Sequence, residues 1–219
     1  MTHTAHRYGT EESLKNDYTF YARASRWVNR EGCGPKFMKI LDIFLSEKPV
    51  NFSFTSARKS FASGLDPEDP AATESIDKAL GVCCNFSNKE SVRAVLKKLK
   101  EADTGISIVT SGLINEITEI AKDLDLKPHT ALLSLGIFGK KARLPEERVL
   151  EVTTMCGHGL VATNLTKTVI DKVQQGKMTP KQGAHLLAQP CPCGIFNMDR
   201  CEAILEACRN ESEGGSVKS

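Results

Sequence analysis

The chain has 219 residues, 40% hydrophobic and 26% charged, with 29 basic against 27 acidic side chains and a net charge of +2. That length suits one large domain or one domain with a small appendage, and the near-balance of charge excludes the basic excess of a dedicated nucleic-acid binder. No apolar run approaches the roughly 18 to 20 residues of a membrane span. The polar opening "MTHTAHRYGTEESLKND" lacks the apolar h-region of a secretory signal, so a cytoplasmic protein is expected.

In chain order, residues 1–48 read as an N-terminal helical segment. Pro35 suits the first turn of a helix whose apolar positions are Phe37, Met38, Ile40, Leu41, Phe44 and Leu45. Residues 49–155 read as an α/β core. "VNFSF" (50–54) alternates like a short strand, and "SARKSFASGLDPEDP" follows as a loop. In that loop Arg58 and Lys59, beside serines at a strand end, are candidates to hold an anionic group, against the plainer reading of a solvated loop.

From residue 81 apolar strands alternate with amphipathic helices. "GVCCNF" precedes a helix opened by a Ser87/Glu90 capping box, with Val92, Val95, Leu96 and Leu99 as its stripe. "GISIVTSG" precedes a helix on Leu113, Ile117, Ile120 and Leu124; "TALLSLGIFG" and "VLEVTTMCG" read as further strands. The alternation predicts a three-layer α/β domain with a mostly parallel sheet, with an α+β split β-α-β sandwich as the alternative. The "KKLK" stretch reads as a solvated helix face, and His129 and His185 as structural.

Residues 156–210 read as a helical, cysteine-rich subdomain, with 211–219 as a flexible tail. Eight cysteines in a reducing compartment point to ligands, catalytic thiols or small core residues rather than disulfides. In "TTMCGHGL", Cys156 is placed where a strand gives way to a helix, framed by Gly157 and Gly159. Exposed N–H groups there would favour a thiolate. The following helix ends at Gly176. Thr179, Pro180 and Gln182 then open a second helix with an N-cap, a first-turn proline and a capping-box partner. At ~1.5 Å per residue this hairpin returns the chain to its origin, which would bring "QPCPCGIFN" back beside Cys156.

In that motif Pro192 holds Cys191 extended, and residues two apart in extended chain present side chains on the same side, with Cα atoms roughly 6.6 Å apart. A disulfide there would be strained, whereas two sulfurs can serve one cluster or ion. Gly194 leaves the next N–H able to donate to a bound sulfur. Cys201 and Cys208 fall with Ile204 and Leu205 on one helical stripe and read as core. Cys83 and Cys84, adjacent on a strand, point to opposite faces. Cys33, in "EGCGP", is an outlying candidate only.

The expected function is an iron–sulfur protein with Cys156, Cys191 and Cys193 as metal ligands and Gly157 and Gly194 as cofactor-binding positions. Three thiolates would suit a [4Fe–4S] cluster with one iron open to a small anionic substrate. A fourth ligand from Cys33, Cys84 or Cys201 would suit electron transfer with a redox partner. One alternative is a zinc site from Cys156, His158, Cys191 and Cys193, although the usual C-x₂-C spacings are absent. Another is a metal-free enzyme with Cys156 as nucleophile and His158 as its catalytic base; the last is a non-enzymatic binding module with inert cysteines.

Overall fold

The computed structural model describes residues 6–215, apart from the side chains of residues 73 and 212–215. A short helix α1 (Glu11–Leu14) leads into strand β1 (Tyr18–Arg23). Helix α2 (Gly34–Ser46), β2 (Asn51–Phe54), α3 (Pro70–Glu74), β3 (Gly81–Phe86), α4 (Lys89–Ala102), β4 (Ser107–Ser111) and α5 (Ile114–Asp123) follow. The rest is helical: α6 (Glu147–Thr153), α7 (Thr163–Gln174), α8 (Pro180–Ala188) and α9 (Met198–Gly215).

The four strands form one sheet in the order β2-β3-β1-β4, and every neighbouring pair is antiparallel. With α2 between β1 and β2 and α4 between β3 and β4, this is the β-α-β-β-α-β arrangement of a split β-α-β sandwich. The expected three-layer domain with a mostly parallel sheet is therefore wrong, and the α+β alternative describes the chain. The physical reason is that strand–helix alternation is common to both folds and register decides between them. A second reason is β1: "YTFYAR" lies inside the segment read as helical, yet it is an inner strand pairing with both β3 and β4.

Period-2 alternation divides the sheet cleanly. Tyr18, Phe20, Ala22, Phe52, Phe54, Val82, Cys84 and Phe86 turn to one face, where α2 and α4 cover them with Phe37, Ile40, Phe44, Val92 and Val95. Phe20 packs on Phe44 and edge-on against Phe86, with centroids 5.7 and 5.6 Å apart. On the other face the paired residues form two rows across the strands: Ser53–Cys83–Tyr21–Val109 and Asn51–Asn85–Thr19–Ser111. That polar face is covered by the C-terminal helices, whose own core joins Val149, Val169, Leu187, Phe196, Cys201 and Leu205 to Tyr21 and Cys83.

Two further expected strands are absent. "VLEVTTMCG" opens within helix α6, so Cys156 lies in the turn after a helix and not at the end of a strand. "TALLSLGIFG" is an exposed loop: residues 127–138 make no backbone–backbone hydrogen bond among the described residues, and Leu133, Leu135 and Phe138 face solvent. Apolarity alone made both look like strands, which a short run cannot distinguish from helix or loop. The N-cap of α4 is Asn88, which accepts from Ser91 N–H at 2.8 Å, and not Ser87. The capping box at Thr179 and Gln182 opens α8. The tail read as flexible from 211 continues α9 as far as Gly215 and otherwise lies outside the described residues.

Candidate functional site

The hairpin of α7 and α8, turned at Gly176 (φ 68°), brings the two cysteine motifs together. The Cys156 and Cys191 side chains are hydrogen-bonded to each other, as are those of Cys191 and Cys193. Backbone N–H groups of His158 and Leu160 donate to the Cys156 sulfur, and that of Ile195 donates to the Cys191 sulfur. The turn around Gly159 (φ 67°) and the one around Gly194 (φ 66°) therefore each wrap a sulfur with amide donors. Gly157 lies within the first of these turns.

Cys193 Sγ lies 3.1 Å from His158 Nδ1. Cys156 and Cys191 are buried, Cys193 is half-buried and His158 is exposed, so the group runs from the interior to the surface. Hydrogen bonding to Cys191 and then burial push the Cys156 thiol well up. For Cys191 the bond from Cys156 pulls down, but the bond to Cys193 and burial outweigh it and the net direction is up. Neutral Cys156 and Cys191 thiols are thus favoured in the metal-free chain, since thiolates packed this closely would repel. Among the described residues no group of three or more His, Cys, Asp and Glu side chains is already arranged to hold a metal ion.

A fourth thiol, which the sequence left without support, stands nearby. Cys83 belongs to the C-terminal core on the polar face of β3, close enough to Cys191 for the two to interact electrostatically. Burial pushes its thiol far up. The signal that could have identified it is its strand parity, which separates it from Cys84. Cys84 and Cys33 are buried in the helix-side core, across the sheet from the site. Cys201 and Cys208 are buried on α9. His129 and His185 are exposed.

Buried polar groups fix the loop that carries Cys191 and Cys193. Arg7 donates to the Ile195 carbonyl, to Thr19 Oγ1 at 2.9 Å and to Asp17 at 2.9 Å. Asn51 donates to the Phe196 carbonyl at 3.3 Å, and Asn197 donates to the Asn16 carbonyl at 2.8 Å. Asp17, fully buried, also accepts from Arg200 at 2.8 Å. An N-terminal strap of residues 7–17 thus holds the cysteine loop against the sheet. Both amide atoms of buried Asn85, and Arg7 Nε, have no hydrogen-bond partner among the described residues.

A cleft of about 550 Å³ opens between the ends of β1–β3 and this loop. It is lined by Cys83, Cys193 and His158 and by Arg23, Arg58 and Tyr21. No carboxylate lines it.

Fold and site together define a class: an α+β protein that gathers thiols between the polar face of its sheet and a helical cap. Comparison with known proteins adds no closer identity, since no family model, curated protein or solved structure matches the chain.

Proposed function

We propose that the protein binds an iron–sulfur cluster, of the [4Fe–4S] type, through Cys156, Cys191 and Cys193. The observation that carries this reading is the convergence of three thiols from segments 35 residues apart in sequence, with main-chain N–H groups aimed at two of the sulfurs. Such amide–sulfur bonds stabilise thiolates and set the potential of thiolate-held clusters. The donor set fits: soft sulfurs select iron–sulfur clusters or zinc over hard cations. The fully buried, unpartnered Asn85 amide lies on the same sheet face and next but one to Cys83 in sequence, a polar group that apolar packing does not require.

When bound, such a cluster supplies electron storage or a Lewis-acidic iron. The chain's own residues do the rest. Arg7, Asn51 and Asn197 hold the Cys191–Cys193 loop, and His158 stands at the solvent side of Cys193 as a hydrogen-bond donor or proton carrier. Protein purified anaerobically should be brown, with broad visible absorbance and about four irons and four sulfides per chain. Stoichiometric zinc in a colourless protein, or no metal at all, would sink the proposal.

A second reading rests on the 3.1 Å contact between Cys193 and His158. An imidazole beside a half-buried thiol suits a zinc site completed by Cys156 and Cys191. It also suits metal-free thiol chemistry, with Cys193 rather than Cys156 as the thiol facing the His158 ring. Metal analysis separates the first of these from the cluster; one fast-alkylating cysteine in metal-free protein would mark the second.

A further inference from the structure

We infer that the cleft beside Cys83, Cys193 and His158 binds a small organic dicarboxylate, held by Arg23 and Arg58. This deepens the cluster reading by naming the class of molecule that would meet the cysteine site, but the binding itself needs no cluster.

Charge comes first. Two guanidiniums and an imidazole line the cleft, with no carboxylate among the lining residues. Neither arginine forms an ion pair among the described residues, whereas nine other basic side chains do. Two cations that share one concavity with no carboxylate in its lining make a local positive field for an anion.

Arg58 is also held in place. Its φ of 56° is in the left-handed region that non-glycine residues rarely occupy, a cost of roughly 1 kcal/mol or more. The surrounding loop maintains it: Ser53 Oγ donates to the Lys59 carbonyl at 2.7 Å, and Thr55 Oγ1 accepts from Leu80 N–H at 2.6 Å and Gly81 N–H at 3.2 Å. Lys59 itself is turned away to the Gly64 carbonyl, 2.9 Å from it. The strain thus goes into presenting one cation, Arg58, to the cleft. Arg23 is oriented separately by a hydrogen bond to the Tyr21 hydroxyl.

The remaining lining defines the body of the ligand. Tyr21 and Pro192 add apolar surface to the same cleft. A planar guanidinium pairs with a carboxylate through two parallel hydrogen bonds, so two arginines fit two carboxylates on a short carbon chain. Inorganic phosphate would satisfy the charge but would leave the apolar wall uncovered.

The test uses the full chain, both as purified anaerobically and after chelation, titrated with succinate by calorimetry, with iron and sulfide assayed on each sample. Saturable one-to-one binding is expected in both samples. Arg58→Ala and Arg23→Ala should each weaken it about tenfold or more, the loss of a charge-assisted pair. Exposed Lys181→Ala, on α8, should leave it unchanged. Arg58→Lys keeps the charge but loses the fork, and should recover only part of the affinity. Wild-type protein that does not bind succinate overturns the inference, as does binding that Lys181→Ala weakens equally. Tighter binding of inorganic phosphate than of succinate overturns the organic class. Succinate binding by protein that never holds iron upholds this inference while the cluster reading fails; iron without succinate binding does the reverse.

Discussion

Gly194 is pressed directly onto the backbone of Phe52: a Cβ built at Gly194 would lie 2.2 Å from the Phe52 carbonyl carbon and 2.5 Å from its oxygen. The position thus needs glycine twice, for its φ of 66° and for the close approach of the cysteine loop to β2. Gly194→Ala must shift backbone against backbone. It should destabilise the chain by more than about 2 kcal/mol, the left-handed cost plus the lost packing. Chemical denaturation measures the first effect. Metal content of the surviving folded fraction reads whether the loop still delivers Cys191 and Cys193; wild-type stability in the variant contradicts this account.

The thiols should act differently when replaced one at a time. Cys156→Ser, Cys191→Ser and Cys193→Ser should each abolish bound iron, whereas Cys208→Ala should retain it at some cost in packing. Cys83→Ser is the informative variant. Loss of iron would make Cys83 the fourth ligand; retained iron with altered binding of a small molecule would leave it as a wall of the cleft. Iron and sulfide assays with circular dichroism as a folding control distinguish these outcomes.

Much of this was legible in the sequence, and the boundary follows physical lines. Patterns set by neighbours within a few residues read true: the helix after Pro35, the Thr179–Gln182 capping box, the turn at Gly176, and the opposite orientations of Cys83 and Cys84. Those same local rules placed Cys191 and Cys193 beside Cys156 by helix length alone. The Ser87–Glu90 capping box, also local, missed the N-cap by one residue, whereas the larger failures depended on partners distant in the chain. "YTFYAR" is a strand because β3 and β4 flank it, and antiparallel register is invisible to periodicity. "TALLSLGIFG" has strand composition but no strand beside it. Nothing local told that Arg7, 188 residues from Ile195, would bind its carbonyl.

Metal-free protein should lose stability in alkali. Burial holds Cys83, Cys84, Cys201 and Cys208 above the ordinary thiol range; the bond to Cys191 and burial do so for Cys156, and Cys193 with burial does so for Cys191. The unfolded chain sheds these protons near about pH 8.5 while the folded chain keeps them. Above that point the unfolded state binds fewer protons, so stability is fully present below it and falls as pH rises. Urea midpoints should drop steadily between about pH 8 and pH 10. Metal-loaded protein, whose ligand thiols are already ionised, should show a shallower decline. A flat profile in metal-free protein would contradict the assignment.

The buried ions predict a large effect at one carboxylate. Asp17, with a fully buried side chain, lies between Arg7 and Arg200, whose side chains are 7% and 1% exposed. Asp17→Asn leaves two buried guanidiniums without their counter-ion and should cost about 3–5 kcal/mol. Exposed pairs such as Lys15–Glu11 should cost less than about 1 kcal/mol. Thermal denaturation of the two variants side by side checks the contrast.

The loop over residues 127–140 should be where the folded chain is cut first. Its residues are exposed and, through 138, make no backbone–backbone hydrogen bonds among the described residues, so a protease can take them without unfolding a core. Limited chymotrypsin digestion should cleave beside Leu132, Leu133, Leu135 or Phe138 before any site in α2 or α4; an initial cut elsewhere would overturn this.

The strap that ties Arg7 to Ile195 and Asp17 to Arg200 also sets an order of events in biosynthesis. All four strands have been made once residue 111 leaves the ribosome, and the sheet's helix-side core is complete soon after. The cysteine loop and its anchor on α9 arrive some 80 to 90 residues later. Until residue 195 has been made, Arg7 and Asp17 lack these C-terminal partners, and Cys83 lies on an uncovered polar face. The thiol group is therefore completed last, by the segment that follows the sheet by some 80 residues.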